Sequence, residues 1–249
     1  MKPVRWSNLK HIGRSPIHYK YALDNGVDET PAMRIGSAAH SMTLGGWRKF
    51  DVYDGIRRGK EWEKFRDSLD GDVTILNAKE AATARAVSQS IQTNPTACEL
   101  LSGETEKSIA WEVNGRMCVG TPDALTLKAC DLSDLKITAD ANPDRFMWHA
   151  MKQGWIAQLV WYKDGLLALG RNVGNLFIVA VEAKPPHPVV VYQLSERAED
   201  QGRKTWRLLF ERLMVHEESD TWPGYSQSVV LLDTPEEFTL QIDGEEVEA

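Results

Sequence analysis

The chain has few cysteines, and their arrangement excludes several chemistries. Cys98, Cys118 and Cys130 are the only three among 249 residues, and no two of them form a CxxC pair. An odd set with this spacing fits neither a disulfide framework nor a zinc site. It also falls short of the four thiolates that usually hold an iron–sulfur cluster. We therefore expect reduced thiols in a cytoplasmic protein.

Long apolar runs and the common loop motifs of catalysis are also missing. No apolar run approaches the length of about 18 residues that indicates a membrane-spanning helix. The first residues lack the apolar segment of a secretory signal. There is no Gly-rich phosphate loop and no GxSxG motif. The sequence therefore predicts no membrane partner and offers no motif for nucleophilic catalysis by serine or cysteine.

Charge of one sign is missing at each end of the chain. Residues 1–23 contain five Lys or Arg and no acid, whereas residues 217–249 contain ten Asp or Glu and no Lys or Arg. The basic segment could contact phosphates, which makes Lys10 and Arg14 candidate DNA-binding residues. The acidic tail could be a solvated flap, screen a partner, repel DNA, or be plain surface charge. The net charge of −7 argues weakly against a nonspecific nucleic-acid coat protein.

Two carboxylates eleven positions apart are the most informative feature that is present. Asp123 and Asp134 both lie in sequences typical of strands. Upstream of them, Asn114-Gly115 favours a two-residue hairpin turn, because both positions tolerate positive φ. Successive side chains of a strand alternate between its faces. Asp134 and Lys136 should therefore point the same way, with Leu135 in the core.

This pattern predicts a divalent-metal site in a solvated cleft. Hard cations such as Mg²⁺ take oxygen ligands. A lysine beside them can orient or activate a water, or neutralise charge on a phosphate. Asp-x-Lys is also common on solvated strand edges, so an ordinary surface strand is the alternative interpretation. Pro122-Asp123, at hairpin distance upstream, favours the metal site.

The remaining segments predict a mixed α/β fold with one central sheet covered by helices. The nearly continuous apolar run 177–182 is typical of a strand buried on both faces. We expect a single domain over residues 1–249, with a basic N-terminal segment (1–31) and an acidic C-terminal tail (226–249). The expected helices span 32–44, 81–92, 146–169 and 195–216, and the expected strands span 108–113, 116–119, 123–127, 131–138, 177–182 and 189–194.

Two predicted helices carry polar side chains with regular spacing. His40 follows Gly36 by four residues, on roughly the same helix face, where the glycine would let another backbone approach closely. A lone helical histidine is more often a packed or surface residue than a ligand. Gln158 and Tyr162 are also four residues apart and share one face of the predicted helix 146–169.

A third segment mixes basic and aromatic residues. Arg57, Arg58, Lys60 and Trp62 lie within six positions. Such a segment can hold phosphates while its aromatic ring stacks on bases. It is equally typical of an ordinary amphipathic surface, and both interpretations stay open.

Taken in order, these motifs resemble the PD-(D/E)xK nuclease superfamily. The resemblance spans about residues 7–225 and is greatest to the exodeoxyribonuclease VIII (RecE-like) phage and prophage enzymes, in the branch that includes lambda exonuclease and the RecB nuclease domain. It implies a restriction-endonuclease-like core, with a central mixed β-sheet flanked by helices. The matching motifs are Gly36-Ser-Ala-Ala-His40, Gly120-Thr-Pro-Asp123, Asp134-Leu-Lys136 and Gln158-Leu-Val-Trp-Tyr162.

The resemblance implies a role for each metal-site residue. Asp123 and Asp134 would be carboxylate ligands of Mg²⁺, for which Mn²⁺ can substitute, with two ions in each active site. His40 would be a further ligand, and the Leu135 carbonyl could complete the shell. Lys136 would position or polarise the attacking water. Position 134 is Asp rather than the commoner Glu, which shortens the reach of the ligand and keeps its charge.

The resemblance extends to residues around the metal site. Gln158 and Tyr162 match a QxxxY motif and would line the site or touch DNA. Glu106 would support the metal ligands from behind. Trp155 and Ile156 depart from the pattern, since polar or tyrosyl residues are expected there.

The implied function is a Mg²⁺-dependent 5′-to-3′ double-stranded DNA exonuclease that leaves 3′ single-stranded overhangs for homologous recombination of the phage type. The expected partners are double-stranded DNA ends, a single-strand annealing protein, and further copies of this chain in a ring of three or four subunits. One alternative is another RecB-like or Cas4-like nuclease acting on single strands or as an endonuclease, although the missing cysteine quartet weighs against the Cas4 version. The other is a catalytically idle DNA-binding subunit.

Overall fold

The structure is a computed structural model that describes residues 1–46, 49–71, 73–233, 239–242 and 245–248. Residues 234–238, 243, 244 and 249 of the predicted acidic tail lie outside the described residues. None of the helices in the described ranges is both long and apolar enough to cross a membrane.

Helices and strands alternate along the described chain. The helices are α1 (Trp6–Leu9), α2 (Pro16–Asn25), α3 (Pro31–Leu44), α4 (Lys60–Asp67), α5 (Ala78–Gln92), α6 (Pro95–Leu100), α7 (Pro143–Gln153), α8 (Trp155–Ala168) and α9 (Glu196–Ser219), with a 3₁₀ turn at Lys10–Gly13. The strands are β1 (Val4–Arg5), β2 (Lys49–Val52), β3 (Val73–Leu76), β4 (Glu104–Thr105), β5 (Ile109–Val113), β6 (Arg116–Gly120), β7 (Ala124–Leu125), β8 (Leu132–Thr138), β9 (Leu176–Glu182), β10 (Val189–Gln193), β11 (Thr239–Ile242) and β12 (Glu245–Glu248).

Five strands form the central sheet, in the order β10-β9-β8-β7-β4. The neighbours β8 and β9 are parallel, whereas the other three pairs are antiparallel. The sheet is therefore mixed. Because helices pack on it, the predicted mixed α/β class is confirmed.

Strand β9 has apolar side chains on both faces of the central sheet, and each face is covered by helices. Ile178 and Ala180 belong to a core cluster that includes residues of α8 and α9. Val179 and Val181 belong to a second cluster that includes residues of α3 and α5. Because side chains alternate along a strand, these clusters lie on opposite faces of the sheet. The prediction of a strand buried on both faces is confirmed.

The predicted hairpin is present, but it belongs to a different sheet. Strands β5 and β6 pair antiparallel, and the turn residues Asn114 and Gly115 have φ values of 49° and 73°. Strand β1 adds to β6 in parallel, so these three strands form a sheet of their own. The expectation of one sheet that includes the hairpin is therefore wrong. A two-residue strand such as β1 leaves no periodic signal in the sequence.

The helix predicted over 146–169 is two helices. Gly154 separates α7 from α8 with a φ of 73°, a left-handed conformation that ends α7. Its N–H bonds to the carbonyl of Met151 at 3.0 Å. A Cβ at this position would lie 2.9 Å from Cζ2 of Trp6. The break thus coincides with a close approach of α1, which apolar periodicity in the sequence does not reveal.

Replacing Gly154 with alanine should destabilise the fold more than the same change at Gly170. The two glycines have φ values of 73° and 74°, so a left-handed alanine costs about 1–2 kcal/mol at either position. At Gly154 the new Cβ also meets the Trp6 ring, whereas nothing lies within 4 Å at Gly170. Overpacking of this kind typically adds about 1–3 kcal/mol. Urea unfolding followed by circular dichroism should therefore give Gly154→Ala the lower midpoint. Equal midpoints would show that Trp6 does not constrain the break.

Candidate active site

Two antiparallel strands hold two aspartates side by side. Asp134 lies in the middle of β8, and Asp123 immediately precedes β7, which pairs with β8. Oδ2 of Asp123 accepts a hydrogen bond from the N–H of Leu135 at 2.7 Å. This bond fixes the Asp123 carboxylate against the strand that carries Asp134. The structure thus brings together the two carboxylates that the sequence places eleven positions apart.

Because side chains alternate along β8, those of Asp134 and Lys136 lie on one face of the strand and that of Leu135 lies on the other. Nζ of Lys136 contacts Oδ2 of Asp134, and Leu135 packs in the cluster on the other face of the sheet. Asp134 is only 1% exposed, because strands flank it on both sides and Lys136 contacts its carboxylate. The expectation that both aspartates lie in a solvated cleft is therefore wrong for Asp134. Its replacement by alanine would also alter the core.

Helix α3 brings a histidine to the aspartates. Thr30 caps the start of the helix, because its side chain accepts a hydrogen bond from the N–H of Met33, and the helix carries His40 one turn before its end. Nε2 of His40 lies 2.9 Å from Oδ2 of Asp123, and Nδ1 lies 3.3 Å from Oε1 of Glu106. The imidazole therefore bridges two carboxylates.

Glu106 lies beside the predicted ligands rather than behind them. Its backbone has a φ of 48°, and its N–H donates to the carbonyl of Asp123 at 3.1 Å. Oε2 of Glu106 is buried and has no hydrogen-bond partner among the described residues. Glu106 and Asp123 both line the same cleft, so Glu106 is a further candidate ligand, and its supporting role stays a prediction.

Burial and charge set the protonation of this cluster. Burial alone would lower the pKa of His40, but the carboxylates of Asp123 and Glu106 outweigh it and raise that pKa to about 10. Burial opposes ionisation of Asp123, yet the charge of His40 and its hydrogen bond keep the pKa of Asp123 below its usual value. Burial raises the pKa of Asp134 to about 6 despite the neighbouring Lys136. The cluster thus contains three carboxyl groups, those of Asp123, Asp134 and Glu106, and two groups that can carry positive charge, those of His40 and Lys136.

The donor set fits a hard divalent cation. In the described ranges, no three His, Cys, Asp or Glu side chains are already arranged around a common metal position. However, among the described residues Oδ1 of Asp134 and Oε2 of Glu106 are buried without a hydrogen-bond partner, whereas Oδ2 of Asp134 contacts Lys136. Buried polar atoms of this kind need a donor or a cation. Carboxylate oxygens with one imidazole suit Mg²⁺ or Mn²⁺, so the assigned ligands stay a prediction that the site chemistry supports.

Helix α8 holds the lysine in place. Oε1 of Gln158 accepts a hydrogen bond from Nζ of Lys136 at 3.1 Å, and Nε2 of Gln158 donates to the Tyr162 hydroxyl at 3.0 Å. Tyr162 is buried, and this burial, together with the charge of Asp134, raises the pKa of its phenol above the usual value. A Cβ on Gly120 would lie 2.6 Å from the Tyr162 ring. Tyr162 therefore positions Gln158, and its phenol does not line the cleft.

The aspartate site opens into a cleft of about 660 Å³. Arg5 and Trp155 line it beside Lys136, and Nζ of Lys136 lies 5.8 Å from the Trp155 ring centroid. Sequence reasoning did not find Arg5, because the pairing of β1 with β6 alone places it there. Gly36 also lines the cleft, and none of the described residues outside its own helix places an atom within 4 Å of its Cβ position. The expected close approach of another backbone at Gly36 is therefore wrong.

The predicted DNA-binding residues fall into two groups. Lys10 and Arg14 line a groove next to the cleft. Burial lowers the pKa of Lys10, and so does the positive charge of Lys136, which indicates that the two lysines are neighbours. The second group consists of Arg57, Arg58, Lys60 and Trp62, and none of these lines the cleft.

Two members of the second group have structural partners. Arg57 donates to the carbonyl of Ile75 at 2.8 Å. Trp62 is half-buried, with its ring centroid 5.2 Å from that of Tyr53 and 6.2 Å from that of Phe65. The interpretation as an amphipathic surface therefore describes this segment better than a base-stacking surface does.

The sheet and the Asp–Asp–Lys cluster define a protein of the PD-(D/E)xK nuclease class. The family described as PDDEXK-like domain of unknown function (DUF3799) matches residues 6–235, and the chain belongs to this family. The predicted superfamily is thereby confirmed, and nucleases of this superfamily typically use divalent metals.

Similarity to solved structures shows the fold alone. The crystal structure of a protein described as "Putative exonuclease" from Eubacterium rectale is similar to 94% of this chain and 90% of that chain, with a TM-score of 0.67 and 13% identity. The crystal structure of SSO0001 is similar to 73% of this chain and 86% of that chain at 15% identity, but its TM-score of 0.31 carries no argument. No curated protein matches the chain.

Mg²⁺ or Mn²⁺ should raise the melting temperature of the wild-type protein but not that of Asp134→Asn. A ligand at one hundred times its Kd stabilises the native state by about 2.7 kcal/mol, which is roughly 5–10 °C for a domain of this size. Differential scanning fluorimetry with metal and with EDTA measures the difference within each variant, so a changed baseline stability of the mutant does not matter. The matched control is Asp28→Asn, at an exposed loop residue, which should respond as wild type does. An equal response of Asp134→Asn would remove Asp134 from the ligand set.

Proposed function

We propose that the protein is a divalent-metal-dependent exonuclease that degrades double-stranded DNA from its 5′ ends and leaves 3′ overhangs. The observation that supports hydrolysis most directly is that Asp123 and Asp134 lie side by side, with Lys136 in contact with Asp134 and lining the cleft. The motif resemblance supports action at DNA ends, and the fold is one that a protein described as "Putative exonuclease" shares. Mg²⁺ is the proposed ion, with Mn²⁺ as a substitute.

Each residue of the cluster has a place in this chemistry. When bound, a divalent metal would supply a Lewis acid that lowers the pKa of a water and stabilises charge on the phosphate. Asp123, Asp134 and Glu106 offer carboxylate oxygens, the Leu135 carbonyl offers a further oxygen, and His40 offers a nitrogen once its proton leaves.

Lys136 is the residue that would act on the substrate itself. Its ammonium group can donate to the attacking water or to a phosphate oxygen. Gln158 accepts a hydrogen bond from Nζ of Lys136, and the Trp155 ring lies nearby. These neighbours limit the directions in which the ammonium group can point, which would orient it toward the cleft.

Two other functions fit the same class of site. A RecB-like or Cas4-like nuclease would act on single strands or cut internally, and a catalytically idle subunit would bind DNA without cutting it. The complete Asp123, Asp134 and Lys136 set favours an active nuclease over an idle one, because a binding protein has no need for buried carboxylates that repel phosphate.

Digestion of a linear duplex labelled separately at each 5′ and 3′ end tests the proposed function. With Mg²⁺, the 5′ label should appear first as an acid-soluble nucleotide, while the 3′ label stays on acid-precipitable single strands. This order is expected because each strand is shortened from its own 5′ end, so its 3′ end is reached last. EDTA should stop the reaction.

Two controls make the digestion decisive. Closed circular duplex has no ends and should resist the protein, and Asp134→Asn should abolish release where Asp28→Asn retains it. Cleavage of the circle would indicate an endonuclease, and early loss of the 3′ label would reverse the polarity. Absence of any metal-dependent release would favour the idle subunit.

We further propose that the protein works as a ring of three or four subunits and passes its 3′ overhang to a single-strand annealing protein. A processive nuclease must stay on its substrate, and closed cyclic symmetry is an economical way to surround DNA. Sedimentation equilibrium at micromolar concentration should give three or four times the 28.0 kDa mass of the chain. A monomer over the whole concentration range would contradict the ring.

A further inference from the structure

We propose that two adjoining grooves beside α7 bind one single strand of nucleic acid, with its phosphates on basic side chains and a base stacked on Trp148. The proposal rests on the proposed nuclease function and adds a contact surface outside the catalytic cleft. The strand would be one that has separated from its complement, since its bases must be free to stack.

The first groove, called the basic groove below, lies next to the cleft. It has a volume of about 430 Å³, and Lys10, Arg14 and Lys152 line it. All three residues keep exposure to solvent, although neighbouring groups partly desolvate the Lys10 ammonium. The basic groove thus presents three cations along a surface that runs from the 3₁₀ turn to the end of α7.

The second groove, called the aromatic groove below, continues the first. It has a volume of about 730 Å³, and Trp148, Arg197 and Gln201 line it. Met151 and Gly154 line both grooves, so the two form one continuous surface between α7 and α9.

The same surface reaches the catalytic cleft. Gly154 lines both grooves, and the next residue, Trp155, lines the cleft. The charge of Lys136 lowers the pKa of Lys10, so the basic groove begins near the catalytic lysine. A strand that leaves the cleft past Trp155 would therefore meet the basic groove first and the aromatic groove second.

The charge of this surface is opposite to that of the whole chain. The protein has 36 acidic and 29 basic residues and a net charge of −7. Among the described residues, no Asp or Glu lines either groove, whereas Lys10, Arg14, Lys152 and Arg197 do. A surface that lacks acids in an acidic protein is complementary to a polyanion.

The aromatic groove also carries exposed apolar side chains between its cations. Trp148 is 67% exposed, and Met147 and Met151 on the same helix are exposed as well. Every base has a π-face, so an exposed indole binds single strands with little sequence preference. A duplex hides its bases from such a ring. The combination of free indole and nearby cations therefore favours a single strand over a duplex.

Fluorescence anisotropy with a labelled single-stranded oligonucleotide in EDTA measures binding without cleavage. Trp148→Ala should weaken binding about tenfold, since stacking of one base on an aromatic ring has an effect of this order. Lys152→Ala should weaken binding and reduce the slope of log K against log salt by about 0.7, the amount expected for one lost phosphate contact on a single strand. Trp148→Ala should leave that slope unchanged, because it removes no charge.

Two matched variants control for general effects of the substitutions. Tyr21 is 66% exposed on α2, and Lys79 is exposed on α5. Neither lines a groove or the cleft. Tyr21→Ala and Lys79→Ala should bind the oligonucleotide as the wild-type protein does.

The outcome separates this proposal from the proposed function. If Trp148→Ala and Lys152→Ala bind as tightly as the two controls, the strand does not use the grooves, and the exposed face of α7 is left to a protein partner. If wild-type protein degrades DNA in Mg²⁺ while these variants bind normally, only the groove proposal fails. If the variants lose binding but the wild-type protein degrades no DNA, the grooves stand and the exonuclease function fails.

Discussion

The burial of carboxylate charge at the centre of the sheet is the constraint on which the rest of the site depends. Asp134 is 1% exposed in the middle of β8, and an ionised carboxylate in such a place is costly unless a cation or hydrogen bonds offset its charge. Lys136 offsets part of it from the same strand face, and His40 arrives from α3 beside Asp123. Helix α8 is then needed to hold Lys136, through Gln158.

The need to balance buried carboxylate charge also connects the protonation of His40 with metal binding. His40 bridges Asp123 and Glu106, and both carboxylates raise its pKa. A protonated imidazole and a divalent cation are two ways of balancing one cluster of negative charge, and a nitrogen that binds a metal must give up its proton. The cluster therefore offers donors that a metal could use, although no three of its side chains surround a common position in the described residues.

Local features were predictable from the sequence, whereas long-range contacts were not. The Asn114-Gly115 turn and the opposite faces of Leu135 and Lys136 follow from backbone preferences and from strand alternation. The close approach of Trp6 to Gly154 joins two distant segments, and the place of Arg5 in the cleft depends on pairing between β1 and β6. Such contacts join residues far apart in the chain, and neither periodicity nor capping signals encode them.

Glu106 and Trp155 are two residues of the site whose contacts could not be predicted from the sequence. Glu106 meets His40 from a backbone with a φ of 48° whose N–H bonds to the carbonyl of Asp123, and a positive φ at a glutamate has no sequence signal. Trp155 departs from the residue type that the family resemblance leads one to expect, yet its ring lies 5.8 Å from Nζ of Lys136. A ring attracts an ammonium group without accepting a conventional hydrogen bond. It can therefore hold Lys136 in place without using the N–H that Asp134 and Gln158 leave free for water or phosphate, and a polar residue at position 155 would compete for that N–H.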